Sequence, residues 1–513
     1  MSFRLLVILP HNPGDVVMAL QAIHKIKTNW LDVEVDYLTG EECCSLVQGS
    51  ELIHRAYVIP KKVLRETWNL GNVDKAINQL SDFLNELKKN TYALSINLFQ
   101  EKWGALVQSV VDAKMKYGLT VNPQGNLQVT SRFLEHLAAI PANRGSNGWH
   151  VVDIYIRCIE QGLVALGTQK KMHPTQERIF IEAHSPMDFG FTENFSNKNF
   201  APQSFLAFHP GSAWMGKRWP ESHWAELIDR CLETGWRIVL TGSKEESPVA
   251  QKILEKLSEK NPSCLLNCVG TTTLMSLATI LSQAKLLVTG DTVAMHLAAA
   301  QETPVLALFG ASNPIETGPY GKGHVVFQTE PELGPNLNFK LPPQGLEKLS
   351  AATVAEYLIH GSIPEKSFVW QTDWDAKRKM HIMRDAQNRL ASPYVKFSTL
   401  GSVLENNFNG IIENHRNPNL EALLNPNLEI LAPTQKKVFE ILNQCLESPT
   451  PAALKQLAEV EEAWANESEH NLIWEAYRIA VNGFPIHPIQ HFLGQKRERF
   501  MVAIHETEAM NKP

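Results

Sequence analysis

The chain has 513 residues, of which 44% are hydrophobic and 20% are charged, and its formal net charge is -6 at pH 7. This length provides for two or three domains with cores of their own, which excludes a small scaffold held together by disulfides. The weakly acidic balance argues against a global attraction for nucleic acid, and seven cysteines without regular spacing are typical of free thiols in a reducing compartment.

The N-terminal residues predict a buried strand, a tight loop and a helix. Leu5 to Leu9 is a continuous apolar run, as expected for a central parallel strand. A turn follows at His11-Asn-Pro-Gly14, and Asp15 begins a helical pattern. The apolar run is too short for a signal peptide, and no stretch approaches the ~18 apolar residues of a membrane span. We therefore expect a cytoplasmic protein, with any membrane contact peripheral.

Strands and helices continue to alternate, which predicts a doubly wound parallel sheet in a first domain, residues 1–167. The first loop lacks the G-x-G-x-x-G pattern, so a dinucleotide site there is a weak hypothesis. Further strands are predicted at Val33 to Leu38, Ala56 to Ile59 and Leu94 to Leu98, and helices at Asn78 to Lys89 and Lys102 to Asp112.

A polar, turn-rich segment, residues 168–203, is predicted to link this domain to a second α/β domain, residues 204–345. The linker contains one expected strand, Arg178 to Glu182. In the second domain each strand is followed by a small or polar turn residue, and a parallel topology brings such turns to one edge of the sheet. These turn residues are Ser212, Ser243, Gly290 and Gly310. The predicted strands are Phe205 to Phe208, Arg237 to Leu240, Leu286 to Val288 and Val305 to Phe309, and the helices include Ser222 to Thr234, Thr273 to Gln283 and Val293 to Ala300.

The most informative stretch runs from Val288 to Ala300. Gly290 breaks a buried strand, and an Ala-rich helix then begins with Asp291 or Thr292 as its cap. A helix N-terminus at the carboxyl edge of a parallel sheet offers free N–H groups and a positive dipole end. The pattern therefore predicts a site for an anionic group, of which a diphosphate fits best. The alternative that both residues only cap the helix stays open.

After residue 345 the pattern becomes mostly helical, which predicts a C-terminal extension, residues 346–513, with apolar faces that include Trp370 and Trp374. Two eight-residue segments that begin at Asn417 and Asn425 form a local duplication too short for a repeat unit. A basic helical stripe is either a solvated face or a contact with an anionic membrane surface. Its members are Lys377, Arg378, Lys379, Arg384 and Arg389.

Taken together, the motifs of the two domains resemble those of the glycosyltransferase family 9 heptosyltransferases, over about the first two-thirds of the chain. Each motif is weak alone, and the ordered set is specific. The motifs are Gly14-Asp15, Tyr92-Ala-Leu-Ser-Ile-Asn97, Lys114 to Gly118, His209-Pro-Gly-Ser-Ala213, Lys217-x-Trp-Pro220, Leu240-Thr-Gly-Ser243 with Glu246, Asp291-Thr-x-x-Met-His-Leu-Ala298 and Leu308-Phe-Gly310.

The resemblance implies a GT-B fold, in which two Rossmann-like domains face each other across a cleft. An ADP-activated heptose would bind to the second domain, and the acceptor, a hydroxyl of a lipopolysaccharide-core or related glycan, glycolipid or protein, would bind to the first. Transfer would proceed with inversion and without metal or cofactor, in the cytoplasm or peripherally on the inner membrane.

The resemblance also implies a role for individual residues. Asp15 would be the general base that takes the proton of the acceptor hydroxyl. Lys217 would neutralise charge on the leaving group. The donor would also contact Ser212 and Thr292 at its diphosphate, Glu246 (or Glu245 in an alternative register) at its ribose, Asp291 at sugar hydroxyls, and His296, one helical turn beyond Thr292.

Two departures and two alternatives accompany this interpretation. Val293 stands where the family has Gly, which predicts crowding near the phosphate, and Asn97 stands where the family's third strand has an acid. The first alternative is the same chemistry with another nucleotide sugar or a protein acceptor. The second is a catalytically silent scaffold in which the extension binds partners, for example a membrane, an acceptor or a second copy of the chain.

Overall fold

The computed structural model describes residues 3–30, 33–122, 125–131, 133–134, 137, 149–168, 179, 201–259, 263–310, 312–329, 345–361, 368–375 and 380–384. The chain divides into two units, Met1–Leu134 with Trp149–Ala391 and Glu135–Gly148 with Ser392–Pro513. Only residue 137 of the second unit is described. The predicted linker strand, apart from residue 179, the duplicated segments, and Lys377, Arg378, Lys379 and Arg389 lie outside the described residues.

The N-lobe, as we call β1 to β6 and the helices around them, contains a six-stranded sheet in the described part of the chain. Its strand order is β3-β2-β1-β4-β5-β6. The first five strands are mutually parallel, and β6 pairs antiparallel with β5. The strands are β1 (Phe3–Ile8), β2 (Val33–Gly40), β3 (Ile53–Ile59), β4 (Thr91–Asn97), β5 (Asp112–Val121) and β6 (Leu127–Val129).

Helices cover this sheet because its central strands are apolar on both faces. Leu5, Leu6, Val7 and Ile8 of β1 are all fully buried, as is usual for parallel strands between helix layers. The helices are α1 (Pro13–Asn29), α2 (Cys44–Gln48), α3 (Lys61–Asn69), α4 (Val73–Lys88), α5 (Lys102–Val110) and α6 (Val151–Ala165).

The C-lobe, β7 to β14 with its helices, is built on an eight-stranded sheet of order β14-β13-β12-β11-β10-β7-β8-β9 within the described residues. Strands β7 to β12 are parallel, and β13 and β14 are antiparallel. The strands are β7 (Phe205–His209), β8 (Arg237–Leu240), β9 (Leu265–Asn267), β10 (Leu286–Gly290), β11 (Val305–Phe309), β12 (Val325–Gln328), β13 (Phe368–Asp375) and β14 (Met380–Arg384).

The C-lobe helices enclose an aromatic and aliphatic core in which Trp224, Phe208 and Phe327 are at most 1% exposed. Among the described residues, no helix is both long enough and apolar enough to cross a membrane. The helices are α7 (Glu221–Glu233), α8 (Ser247–Lys256), α9 (Leu274–Gln283), α10 (Val293–Ala300), α11 (Pro314–Thr317) and α12 (Ala351–His360).

The prediction of a mostly helical segment after residue 345 is wrong for residues 368–375 and 380–384. Helix α12 does form, but β13 and β14 then extend the C-lobe sheet as antiparallel strands, with Trp370 opposite Val326 of β12. Trp370 and Trp374 lie four residues apart, which fits a helical face equally well on local spacing. Arg384 therefore ends a strand and is not part of a helical stripe.

In each sheet the order of the strands reverses at one place, which we call the switch point. The loops that follow the strands at the two switch points carry predicted motifs. In the N-lobe, β1 lies between β2 and β4, so the loops after β1 and β4 diverge. In the C-lobe the same relation holds for β7 and β10. A crevice forms at the carboxyl end of the strands where the order reverses, and ligands of doubly wound sheets bind there.

Candidate active site

Asp15 lies in the first turn of α1, directly after the switch point of the N-lobe sheet. Its Oδ2 is 2.5 Å from Nδ1 of His11, and 27% of its side chain is exposed. The hydrogen bond with Asp15 raises the pKa of His11 above its usual value, although partial burial of the ring opposes this rise. The carboxylate is thus accessible to a substrate and held by a neighbouring imidazole.

A cavity of about 510 Å³ opens beside this pair, at the carboxyl ends of β1, β3 and β4. Lys61 Nζ donates to the carbonyl oxygen of Pro10 at 2.7 Å and lies 4.8 Å from the ring centroid of Trp103. The cavity therefore combines fixed cations with aromatic surface next to Asp15. Its lining is Pro10, His11, Asn12, Glu42, Ile59, Lys61, Leu64, Arg65, Phe99, Glu101 and Trp103.

Lys217 and Asp291 form an ion pair at the switch point of the C-lobe sheet, with Nζ and Oδ2 2.5 Å apart. Burial opposes ionisation of Asp291, but the charge and hydrogen bond of Lys217, together with a hydrogen bond from Ser312, lower the pKa of Asp291 overall. The backbone carbonyl of Lys217 would lie 3.2 Å from a Cβ at Gly290. Gly290 therefore leaves the space that brings the lysine to the end of β10.

Thr292 is the N-cap residue of α10, but its side chain does not cap the helix. Its Oγ1 instead lies 3.1 Å from Oγ1 of Thr289, which donates to the carbonyl oxygen of His209. Ser212 is buried, and its Oγ accepts a hydrogen bond from the backbone N–H of Trp214. The first turn of α10 thus begins beside β7 and β10 with its free N–H groups at the crevice.

Glu246 lies in a short 3₁₀ turn, Lys244–Glu246, and its Oε2 accepts a hydrogen bond from the backbone N–H of Ser243 at 2.7 Å. Its carboxyl carbon occupies the space that a Cβ at Gly211 would need, since the two would be only 2.1 Å apart. His209 Nε2 lies 3.7 Å from this carboxylate, but burial lowers the pKa of His209, so the contact is not an ion pair. Glu245 is exposed on the same turn.

The two lobes contact each other where Gly14 packs against His296 of α10. A Cβ built on Gly14 would lie 3.2 Å from His296 Cδ2, so only glycine fits without displacement of the ring. Burial lowers the pKa of His296, against the opposing charges of Asp291 and Asp15. The ring is therefore neutral, and within the described residues its Nδ1 has no hydrogen-bond partner. This contact places the loop that carries Asp15 at the start of the C-lobe crevice.

The structure places the predicted site residues in the segments that follow β1, β7, β8 and β10, and it adds three contacts to which the sequence analysis assigned no role. His11 was interpreted only as a turn residue, although its spacing of four from Asp15 is typical of a side-chain pair. Ser312 and Gly211 act through Asp291 and Glu246. The spacing of four residues is the local signal for His11, whereas no local pattern links Ser312 to Asp291 or Gly211 to Glu246.

Asn97 is fully buried, its amide N–H donates to Leu119 and its Oδ1 accepts from Phe99 N–H. It therefore ties β4 to β5.

In the described part of the chain, no group of three or more His, Cys, Asp and Glu side chains is arranged to hold a metal ion. Val293 is half-buried as the first residue of α10.

Comparison with known proteins gives a consistent result. The model of glycosyltransferase family 9 (heptosyltransferase) matches residues 81–340. Lipopolysaccharide heptosyltransferase 1 of Escherichia coli K12 is 34% identical over 356 residues, which cover 68% of this chain and 99% of that protein. Lipooligosaccharide heptosyltransferase 2 of Haemophilus ducreyi is 23% identical over 339 residues, covering 63% of this chain and 88% of that protein.

Solved structures agree in fold. A glycosyl transferase family 9 protein from Veillonella parvula superposes with a TM-score of 0.55 at 21% identity, covering 71% of this chain and 99% of that chain. E. coli heptosyltransferase WaaC with ADP gives a TM-score of 0.51 at 20% identity, covering 70% of this chain and 100% of that chain. The predicted GT-B fold, two Rossmann-like lobes facing a cleft, is thereby confirmed.

Proposed function

The chain belongs to glycosyltransferase family 9, and from that premise we propose that it transfers a heptose from ADP-heptose to a hydroxyl of a lipopolysaccharide-core glycan, with inversion and without a metal. The curated relative that matches over nearly its whole length is named a lipopolysaccharide heptosyltransferase. The observation that carries the proposal is the packing of Gly14 against His296, because the charges of Asp15 from the N-lobe and Asp291 from the C-lobe both act on this ring.

Asp15 is the general base of the proposed reaction. The acceptor hydroxyl loses its proton to this carboxylate while its oxygen attacks the anomeric carbon, and the bond from that carbon to the diphosphate breaks on the opposite face. Inversion follows from this single displacement. A base must lie within hydrogen-bond reach of the proton it removes, and the cavity beside His11 is the space from which an acceptor would reach Asp15.

The C-lobe holds the donor. The free N–H groups at the start of α10 and the hydroxyls of Ser212 and Thr292 bind the diphosphate, as helix N-termini commonly do. Lys217, which is already paired with Asp291, turns toward the leaving phosphate as negative charge develops on it. Asp291 then accepts hydrogen bonds from sugar hydroxyls.

Glu246 and His296 complete the donor site in this proposal. Glu246 holds the ribose through its second carboxylate oxygen, since Oε2 is used by the N–H of Ser243. His296 supplies a neutral ring nitrogen without a partner among the described residues, and such buried polar atoms call for one.

Isothermal titration of the purified chain with ADP, UDP and GDP tests the donor assignment first. We expect ADP to bind most tightly, and transfer from ADP-heptose to heptose-free lipopolysaccharide to release ADP and an inverted glycoside. A preference for UDP or GDP would replace the donor. Binding of ADP without any transfer, with each nucleotide sugar tried, would favour the silent scaffold.

A further inference from the structure

We propose that His11 is a positioning residue for the base Asp15: its ring N–H holds one carboxylate oxygen in place and leaves the other for the acceptor hydroxyl, and the charge on the ring controls how well Asp15 accepts a proton. This inference rests on the proposed function. The geometry behind it is the 2.5 Å separation of His11 Nδ1 and Asp15 Oδ2.

The direction of this hydrogen bond follows from the chemistry of the two groups. An ionised carboxylate has only acceptors, so the proton between the atoms belongs to Nδ1 of His11. The neutral ring therefore carries its hydrogen on Nδ1. A bond of this kind fixes the carboxylate plane, and a base displaced by about 1 Å can lose about 100-fold in rate.

The surroundings of His11 fix the ring as well. It packs against Phe99 with ring centroids 5.5 Å apart, and its carbonyl oxygen accepts a bond from Cys43 Sγ. His11 also lines the cavity beside Asp15. The residue thus lies between the base and the place from which an acceptor would approach.

Protonation of His11 changes the base. An imidazolium beside Asp15 stabilises the carboxylate and makes it a weaker proton acceptor. Since the hydrogen bond raises the pKa of His11, this loss sets in as pH falls through a value above 6.5. Among the described residues, Glu42 and Arg65 line the same cavity as His11, and the other titratable or charged groups near the pair are Lys61 of α3, Glu101 before α5, His296 of α10, Cys43, Tyr37 of β2 and Tyr155 of α6.

Two variants separate positioning from titration. His11→Ala removes the donor, so we expect kcat at pH 8 to fall about 10-fold with KM unchanged. His11→Asn places an amide N–H near the position of Nδ1, so it should keep most of kcat at pH 8 but lose the fall in rate between pH 8 and 6. The matched control is His54→Asn. His54 Nδ1 lies 3.0 Å from Oδ1 of Asp36, and His54 is not among the residues that line the cavity.

The pair itself is tested without turnover, by NMR titration of ¹⁵N-histidine in the full chain, with His11 assigned from its variants. Asp15→Asn should lower the pKa of His11 by about 1 unit or more. An unchanged His11 titration in Asp15→Asn, or a His11→Asn rate profile parallel to that of the unmodified chain, would overturn the inference. If the chain transfers no sugar, the proposed function fails, and the NMR titration alone decides whether His11 controls Asp15.

Discussion

Two carboxylates, one in each lobe, lie in loops that follow a strand at the switch point of the sheet. Asp15 follows β1 and Asp291 follows β10. Asp15 is 27% exposed and paired with the imidazole of His11, whereas Asp291 is 7% exposed and paired with the ammonium group of Lys217. One position therefore presents a partly exposed carboxylate beside an imidazole, and the other a buried carboxylate paired with a cation.

The difference shows that the partner, and not burial alone, decides what a carboxylate does. Burial opposes the ionisation of Asp291, yet Lys217 lowers its pKa. Asp153 is also buried, and its partners are the hydroxyl of Tyr320 and the backbone N–H of His381. Burial raises the pKa of Asp153 to about 7. Asp153 thus serves as an internal reference for a carboxylate whose direct partners are neutral.

The largest expected effect comes from removal of the base. Asp15→Asn keeps the shape of the side chain and removes its ability to accept a proton, so kcat should fall between 10²-fold and 10⁴-fold. Steady-state rates with ADP-heptose measure this. Asp74→Asn, an exposed change in the first turn of α4, is the control and should leave the rate unchanged. A rate that survives Asp15→Asn would remove Asp15 as the base.

A smaller loss of kcat is expected when Lys217, the ion-pair partner of Asp291, is replaced. Lys217→Met removes the cation that we propose for the leaving group, and kcat should fall about 10²-fold to 10³-fold. The same change leaves the buried Asp291 unpaired, at a cost of about 3–5 kcal/mol in stability.

The double variant Lys217→Met with Asp291→Asn separates the two effects of that change. It should recover most of the stability, measured by urea unfolding, and none of the rate. Recovery of the rate would mean that Lys217 acts only as the structural partner of Asp291.

Asp153 predicts a dependence of the free energy of unfolding on pH. Because the pKa of Asp153 is higher in the folded chain than its usual value of 3.8, the folded state holds the proton more tightly, and stability is lost as pH rises from about 4 to 7. Tyr320→Phe removes a donor to the ionised form. It should lower the free energy of unfolding by about 1 kcal/mol at pH 5 and about 2–3 kcal/mol at pH 8.

The control for this comparison is Tyr92→Phe in a His54→Asn chain, because the hydroxyl of Tyr92 donates to Asp36, which keeps its partner Arg4 when the titratable partner His54 is removed. Its destabilisation should be the same at pH 5 and pH 8. An equal effect of Tyr320→Phe at both pH values would mean that Asp153 does not change its charge in this range.

The smallest effect is expected at Glu246, whose carboxylate accepts the hydrogen bond from Ser243 N–H at the start of the 3₁₀ turn. Gly211→Ala forces the Glu246 carboxylate away from the N–H of Ser243, which should cost about 0.5–2 kcal/mol and weaken ADP binding a few-fold. Glu246→Ala should do the same, and the double variant should be no worse than either change. Additive losses in thermal unfolding and titration would show that Gly211 acts independently of Glu246.

Local patterns predicted the elements that carry the site, because each depends on neighbouring residues. Arg237–Leu240, Val293–Ala300 and Val305–Phe309 form as predicted, since an apolar run or Ala-rich face ends at a turn residue. The parallel order of these strands then places their loops together.

Contacts between distant residues could not be predicted in the same way. The pairing of Trp370 with Val326 joins residues 44 positions apart. On local spacing alone, Trp370 and Trp374 fit one face of a helix. The contact of Gly14 with His296 crosses the lobes, so the sequence could predict a shared cleft but not the residues that meet in it. His11 was missed because the residues that position a base follow from three-dimensional geometry.

The assignment of the base to the N-lobe and of the donor site to the C-lobe is tested most directly by titration of ADP into Asp15→Asn and Lys217→Met. We predict that Asp15→Asn binds ADP as the unmodified chain does, because in the proposed reaction the N-lobe carboxylate contacts only the acceptor and the reacting proton. Lys217→Met should bind ADP about 10-fold more weakly, the cost of one charge-assisted contact. The opposite result, with ADP affinity lost in Asp15→Asn and retained in Lys217→Met, would contradict the assignment of base and donor site to separate lobes.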